Sequence, residues 1–391
     1  MRLTNRTLEL TASPIAEAHA WLAHRTSDRS LLDLSQAAPS YPTAPEIASR
    51  IAEVAGETDG GRYAPPPGLP ELNDAFAAEL GADYRADLRG EQILPTGGCN
   101  QAFCVATSAL AEPGDEIILP IPYYFNHDMW LRLDGVTPRY LAPDPEPAGP
   151  ADLVPSPERA GELIGPRTRA IVLVTPGNPT GVTIPPDTIH AFAELARAND
   201  LALIVDETYR NFRTTDEPPH DLFRDPAWTD TVVSLHSFSK DLAIPGYRVG
   251  AIVAGSELIY EIMKLVDCVQ ISAPRIGQEA AIAGLRDARA WRTEQVDRIN
   301  RALDRFQQVM ATRPGGFELV TAGAFFGWAR HPFADLATAE VIKRLVLDHD
   351  VLAIPGTAFT PSDDRWIRFS YANLDVDDFD ELAARLAEMA G

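Results

Sequence analysis

Between residues 92 and 253 the chain alternates short apolar runs with longer segments, and no other feature restricts its fold as much. Gln92 to Pro95, Glu116 to Leu119, Pro138 to Leu141, Arg169 to Val174, Leu201 to Val205, Thr231 to Leu235 and Arg248 to Val253 all have strand length. Such runs are what strands buried on both faces require. Helix candidates lie between several of them, such as Pro186 to Asn199. The alternation predicts an α/β fold with a mostly parallel central sheet between helices. Ligands of such sheets gather at the carboxyl ends of the strands. Four distinctive stretches fall at those ends: Gly97-Gly98, Thr175-Pro-Gly-Asn-Pro-Thr-Gly181, Asp206-Glu-Thr-Tyr209, and Ser234 to Arg248 around Lys240.

In the last stretch a lysine stands among small hydroxyl residues, Ser237-Phe-Ser-Lys240, and Arg248 follows eight positions later. A lysine delivered at the end of a buried strand is held in a confined, partly desolvated place. Its ammonium loses a proton more readily there, and the neutral amine is the nucleophile that Schiff-base chemistry needs. Gly97-Gly98 joins a strand to an apolar helix that runs to about Leu110. Free backbone N–H groups and the helix dipole make that junction a candidate anion site. Neither GxGxxG nor GxxxxGK[ST] occurs, so a dinucleotide or P-loop nucleotide is not indicated.

Composition narrows the partners. Lys and Arg number 34 against 56 Asp and Glu, a net charge of −22 over 391 residues. That balance argues against nucleic acid or an anionic membrane as the main partner. The first ten residues show no basic-then-apolar leader pattern, and no apolar run approaches the roughly 18 residues of a membrane span. Cys99, Cys104 and Cys268 are too few and too scattered for a disulfide framework or zinc site, and the eight histidines contain no HExxH pair. A cytoplasmic location without structural metal is expected.

The flanks are of mixed type. Pro14 to His24 and Pro45 to Val54 predict helices, Leu31 to Leu34 a strand, and Ser35 to Pro42 a proline-punctuated loop. Leu69 to Leu80 predicts a further helix. Beyond it, helices are expected at Leu258 to Cys268, Gly277 to Leu285, Trp291 to Thr312, Ala337 to Asp348 and Phe379 to Met389. Strands are expected at Phe317 to Val320, Ala324 to Ala329, Val351 to Ile354 and Trp366 to Tyr371. Pro143 to Pro155, rich in proline and acid, predicts a surface loop. In Trp366-Ile-Arg-Phe-Ser-Tyr371, strand alternation puts Trp366, Arg368 and Ser370 on one face.

Asn178-Pro-Thr-Gly181, Asp206-Glu-Thr-Tyr209, Ser237-Phe-Ser-Lys240 and Arg248, in this order, resemble the fold-type I pyridoxal-phosphate enzymes, and most of all the class I/II aminotransferases. The resemblance covers nearly the whole chain. It implies a large pyridoxal-phosphate domain at 45–285, and a smaller α+β domain, formed by 1–44 and 286–391, that closes on substrate. Lys240 matches the lysine that forms the Schiff base with the cofactor and later shuttles a proton. Asp206 matches the carboxylate paired with the pyridine nitrogen, and Tyr209 and Asn178 match the groups that hold the ring oxygen. Arg248, Ser237 and Ser239 match the phosphate clamp, completed by the backbone of Gly98, Cys99 and Asn100. Tyr124 matches the aromatic that stacks on the ring, with Tyr123 and Phe125 as alternative registers. Arg368 matches the arginine that binds the substrate α-carboxylate. Tyr63 matches a tyrosine that reaches the neighbouring subunit's phosphate, which implies a homodimer.

Ala37 stands where the family usually has glycine, which narrows the substrate side of the site. Asn100 stands where an aspartate-specific subgroup has lysine. No arginine occupies the other position used for acidic side chains, near Ala280, although Arg275 lies close by. Neutral or aromatic amino acids are the expected substrates, with a 2-oxo acid as acceptor in a ping-pong cycle. His127 and His236 are expected to be structural. A C–S lyase or a synthase of the aminocyclopropane-carboxylate type would share the cofactor residues. A cofactor-binding transcriptional regulator would need an appended basic module, which the charge disfavours.

Overall fold

The computed structural model describes residues 1–143, 146–215, 217–362 and 365–389. Seven strands form the central sheet: β1 (Ile93–Thr96), β2 (Glu116–Pro120), β3 (Thr137–Leu141), β4 (Thr168–Val174), β5 (Ala202–Asp206), β6 (Val232–Ser237) and β7 (Gly250–Val253). Their spatial order is β1-β7-β6-β5-β4-β2-β3. Every pairing is parallel except those of β7, which runs antiparallel to both β1 and β6. The mostly parallel α/β sheet expected from the sequence is therefore present. Register places Val174 beside Asp206 and Asp206 beside Leu235, so the functional strand ends stand in a row.

Alternate residues of each strand feed two cores. Ile171, Leu173, Leu203 and Val205 pack with Leu72, Phe76 and Leu80 of helix Pro70–Tyr84 and with Ile189 and Phe192 of helix Pro186–Ala198. Val172, Ile204 and Val233 pack with Phe103 of helix Cys99–Leu110 and with Ile262 and Val266 of helix Ser256–Gln270. A third core gathers Ile299, Leu303 and Phe306 of helix Arg289–Met310, both chain ends, and a four-stranded antiparallel sheet. That sheet runs Ile354–Pro355, Trp366–Phe369, Phe326–Arg330, Glu318–Gly323. Leu32–Asp33 pairs in parallel with Val351–Leu352.

Several boundaries differ from expectation for identifiable reasons. The expected strand Val351 to Ile354 is two short strands in different sheets. Arg248 is not the first residue of β7. It lies in the preceding turn at φ 51°. Helices Phe125–Asp134 and Pro157–Leu163 were not expected, because they bury too few residues to show a period: Phe125, His127 and Leu131 in one, Ala160 in the other. In the loop expected over Pro143 to Pro155, positions 144 and 145 lie outside the described residues. Leu153 in that stretch is buried in a short 3-10 turn rather than exposed.

One close approach joins the central sheet's edge loops to the C-terminal sheet. Gly181, at φ 71°, faces Gly323, and a Cβ on Gly181 would lie 2.3 Å from the Gly323 nitrogen. Substitution there meets both a strained dihedral and backbone that cannot yield. Gly181→Ala is expected to lower unfolding stability by at least about 2 kcal/mol. Gly56→Ala, where a Cβ meets nothing within 4 Å, should stay within about 0.5 kcal/mol of the parent. Denaturant midpoints measure both, and a wild-type midpoint for Gly181→Ala would contradict the close contact.

Candidate active site

A cavity of about 390 Å³ opens at the carboxyl ends of β1, β4, β5 and β6. Asn178, Asp206, Tyr209, Lys240 and Arg248 all line it, together with Cys99, Asn100, Tyr124, Ser237 and Ser239. The sequence motifs, up to 149 positions apart (Cys99 to Arg248), thus meet at one place.

Lys240 points its Nζ into the cavity and donates a hydrogen bond to the Ala37 carbonyl. Burial, with the nearby Arg368 and Arg248 guanidiniums, pulls its pKa down to about 8. About a tenth of the side chain is then neutral amine at pH 7, far more than for a lysine of ordinary pKa. Asp206 ends β5 almost fully buried. Burial alone would raise its pKa, but His127 and Thr208 outweigh that and hold the carboxyl below its ordinary value. His127 Nε2 lies 3.3 Å from Asp206 Oδ2, and the Thr208 backbone N–H donates to Oδ1 at 3.0 Å. The His127 ring is itself stacked on Phe103 at 3.8 Å. His127, expected to be structural, is the side chain that stands against the Asp206 carboxylate. Its signal was hidden by the unrecognised helix that begins at Phe125. Thr208 and the cavity-lining Gln36 were also missed, since a backbone donor and a loop amide leave no pattern in sequence.

The next carboxylate faces the opposite side of the sheet. Glu207 accepts from Tyr84 Oη at 2.5 Å and Ser234 Oγ at 2.6 Å, and His220 Nε2 stands 3.4 Å away. His236 joins this group through Ser234 Oγ at 2.8 Å.

The phosphate-clamp candidates are arranged around the start of helix Cys99–Leu110. Gly98 precedes it at φ 89°, and a Cβ there would lie 2.4 Å from Arg248 Nη2. Glycine therefore lets the guanidinium lie across the helix N-terminus. Arg248 is anchored by the carbonyls of Pro245 (2.9 Å) and Gly97 (3.3 Å). Among the three consecutive aromatics, Tyr124 lines the cavity, and its hydroxyl donates to Asn100 Oδ1 at 3.3 Å. Tyr123 instead stacks on Tyr140, and Phe125 packs on Phe359.

Arg368 stands behind the lining and is 2% exposed. Its Nη1 donates to Asn178 Oδ1 at 2.9 Å and its Nη2 to the Ser35 carbonyl. Phe326 and Phe359 flank the guanidinium at 5.0 and 4.8 Å. Tyr209 is buried against the Phe325 and Phe326 rings, and burial raises its phenol pKa well above the ordinary value. Tyr63 and Arg275 neither line the cavity of this chain nor bond to the residues that do. Tyr63 is 74% exposed. Arg275 is turned to Glu57, Glu279 and the Asp59 carbonyl.

The donor set fits pyridoxal phosphate. An ionised, buried carboxylate would face the ring nitrogen, a lysine amine of lowered pKa would meet the aldehyde, and a guanidinium with two serine hydroxyls at a helix start would receive the phosphate.

Comparison with known proteins agrees with this chemistry. Residues 29–386 match the family model described as aminotransferase class I and II. The aromatic aminotransferase ISS1 of Arabidopsis thaliana is 29% identical over 98% of this chain and 95% of its own length. An aspartate aminotransferase of Pyrococcus abyssi is 26% identical over 88% of each chain. Among solved structures, the aspartate aminotransferase of Thermus thermophilus with maleate superposes with a TM-score of 0.88 at 26% identity, covering 99% of this chain and 100% of that one. The chain belongs to the class I and II aminotransferases, enzymes of fold type I that work with pyridoxal phosphate.

Proposed function

We propose that the protein exchanges an amino group between an L-amino acid and a 2-oxo acid, the two substrates taking turns at one site in a ping-pong cycle. The observation that carries this reading is the buried Arg368 guanidinium close to the Lys240 amine. It sets a forked carboxylate receptor beside a Schiff-base nucleophile. A substrate carboxylate makes a stronger, charge-assisted partner for Arg368 than the neutral Ser35 carbonyl does, and would take its place. Asn178 remains as the second anchor of the guanidinium.

Pyridoxal phosphate, when bound, supplies the electron sink for the broken C–H bond. The chain's own residues do the rest. The Lys240 amine would meet the aldehyde and would carry a proton to and from the substrate Cα. Asp206, held ionised with His127 beside it, would pair with a protonated pyridine nitrogen. Tyr209 and Asn178 would hydrogen-bond the ring oxygen. Arg248, Ser237, Ser239 and the backbone of Gly98, Cys99 and Asn100 would bind the phosphate. Tyr124 would cover the ring face, and Ala37 would narrow the substrate side.

Neutral or aromatic amino acids are the substrates we favour. Asn100 is uncharged, and Arg275 is already surrounded by carboxylates in this chain. The Arabidopsis relative, which matches nearly the whole chain, is named an aromatic aminotransferase. We assign residues 45–285 to a cofactor domain and residues 1–44 with 286–391 to a domain that closes on substrate. The exposure of Tyr63 supports a homodimer in which it reaches the neighbouring site. A cytoplasmic location fits the composition, and no helix among the described residues is long and apolar enough to cross a membrane.

Mixing the loaded protein with single amino acids should convert bound pyridoxal phosphate to pyridoxamine phosphate in one turnover, with aromatic or neutral donors faster than aspartate. A panel in which no amino acid does so would refute amino transfer. Arg368→Leu should raise KM for every donor on the order of 100-fold, the loss of a two-pronged charge-assisted contact. Equal KM values would remove Arg368 from substrate binding.

The lowered pKa of Lys240 also fixes a pH dependence. Below about 8 the side chain is mostly ammonium and cannot attack, and above it the free amine dominates. Cofactor capture by the cofactor-free protein should therefore accelerate with rising pH through a midpoint near 8. A midpoint near the ordinary lysine value would show that the amine is not perturbed.

A further inference from the structure

A second cluster of buried charge lies directly behind the two loops that face the cavity, and the reaction described above does not use it. Arg210 follows Tyr209, and Asp241 follows Lys240. Arg210 donates to both Glu79 and Asp83. Arg292 grips Glu79 through Nη1 at 2.6 Å and Nη2 at 2.9 Å, and its Nη2 also donates to Asp241 Oδ2 at 3.1 Å. Asn211 Nδ2 donates to the same Asp241 oxygen at 2.7 Å. The side chains of Glu79, Arg292 and Asp241 are only 10%, 12% and 7% exposed.

Such a cluster is a poor device for stability alone, because an apolar filling of the same volume is often as stable. What it supplies is fixed geometry, the kind of support a reacting group needs from the residues behind it. Asp241 Oδ1 has no hydrogen-bond partner among the described residues, so the orientation of this carboxylate rests on the two donors at Oδ2. The turn after Lys240 is pinned on its other side by Thr43, whose Oγ1 donates to the Ala243 carbonyl at 2.7 Å. Arg292 itself sits in helix Arg289–Met310, which packs into the same core as the strand bearing Arg368.

We propose that Arg292 is a positioning residue for Lys240: acting through Asp241, it holds the lysine amine in place between the Ala37 carbonyl and the two guanidiniums that face it. The line of contact runs from helix Arg289–Met310 through the Arg292 fork to the Asp241 carboxylate, and from there through one peptide unit to Lys240. Glu79 fixes the fork, and through Arg210 it ties the Tyr209 loop to the same node. Both cavity-facing loops then take their position from one buried ion-pair cluster.

The test needs no cofactor. The chain has three lysines, Lys240, Lys264 and Lys343, so their reaction with cyanate can be followed separately by peptide mapping of the full-length protein. In the wild type the Lys240 reaction should have a pH midpoint near 8. In R292Q and in D241N the loosened turn lets the amine leave Arg368 and Arg248, and the midpoint should rise by at least about one pH unit toward the ordinary lysine value. R292K should fall between wild type and R292Q, and Lys343 should not change. A merely structural role would lower the unfolding temperature and leave the Lys240 midpoint where it was. That result, or a fall in the midpoint, in whichever of R292Q and D241N folds, overturns the proposal. It would leave the aminotransferase reading intact, because wild-type amino transfer is scored in a separate experiment. Failure of that transfer would in turn not move these midpoints.

Discussion

The site depends on keeping a lysine amine buried beside positive charge. Desolvation and two guanidiniums all work against the ammonium form. The fold must therefore hold Arg248 and Arg368 close, although nothing about Lys240 attracts them. Each guanidinium is held by neutral partners instead. Arg248 rests on two carbonyls and lies where Gly98 leaves room. Arg368 rests on an amide, a carbonyl and two aromatic faces. Neutral anchoring leaves both positive charges available to an incoming anion. A carboxylate partner in either place would have cancelled the field that lowers the lysine pKa.

Asp206 presents the opposite problem. A buried carboxylate tends to take up a proton, and only the ionised form could pair with a protonated ring nitrogen. His127 and the Thr208 N–H reverse that tendency. Phe103 fixes the imidazole by stacking. The apolar core under the sheet thus does electrostatic duty as well as packing.

The sheet and the motif residues at its strand ends were legible in sequence because both follow local rules. Apolar runs mark buried strands, and Lys240, Asp206, Asn178 and Arg248 occur at their ends in a distinctive order. What was not legible depends on contacts between distant segments. His127 sits on a helix too polar to show a period. The conformation of Arg248 is set by the turn before β7. The contacts of the 35–38 loop with Lys240 and Arg368 are made largely by backbone carbonyls, whose identity no side chain announces. Tyr63 is exposed, and Arg275 is taken up by Glu57, Glu279 and the Asp59 carbonyl, so neither meets this chain's cavity.

Asp206 and Glu207 are neighbours in sequence but belong to separate polar networks on the two faces of the sheet, one around His127 and one around Tyr84, Ser234 and His220. Because strand side chains alternate, a slip of β5 by one residue would exchange them. The longer Glu207 would enter the cavity, and Asp206 would be buried where its shorter arm cannot reach Tyr84. Both carboxylates would then lack their partners in a dry interior, a severe cost. The paired acids therefore act as a proofreading mark on strand register: the arrangement that turns Asp206 into the cavity is also the arrangement in which this part of the sheet satisfies its buried charges.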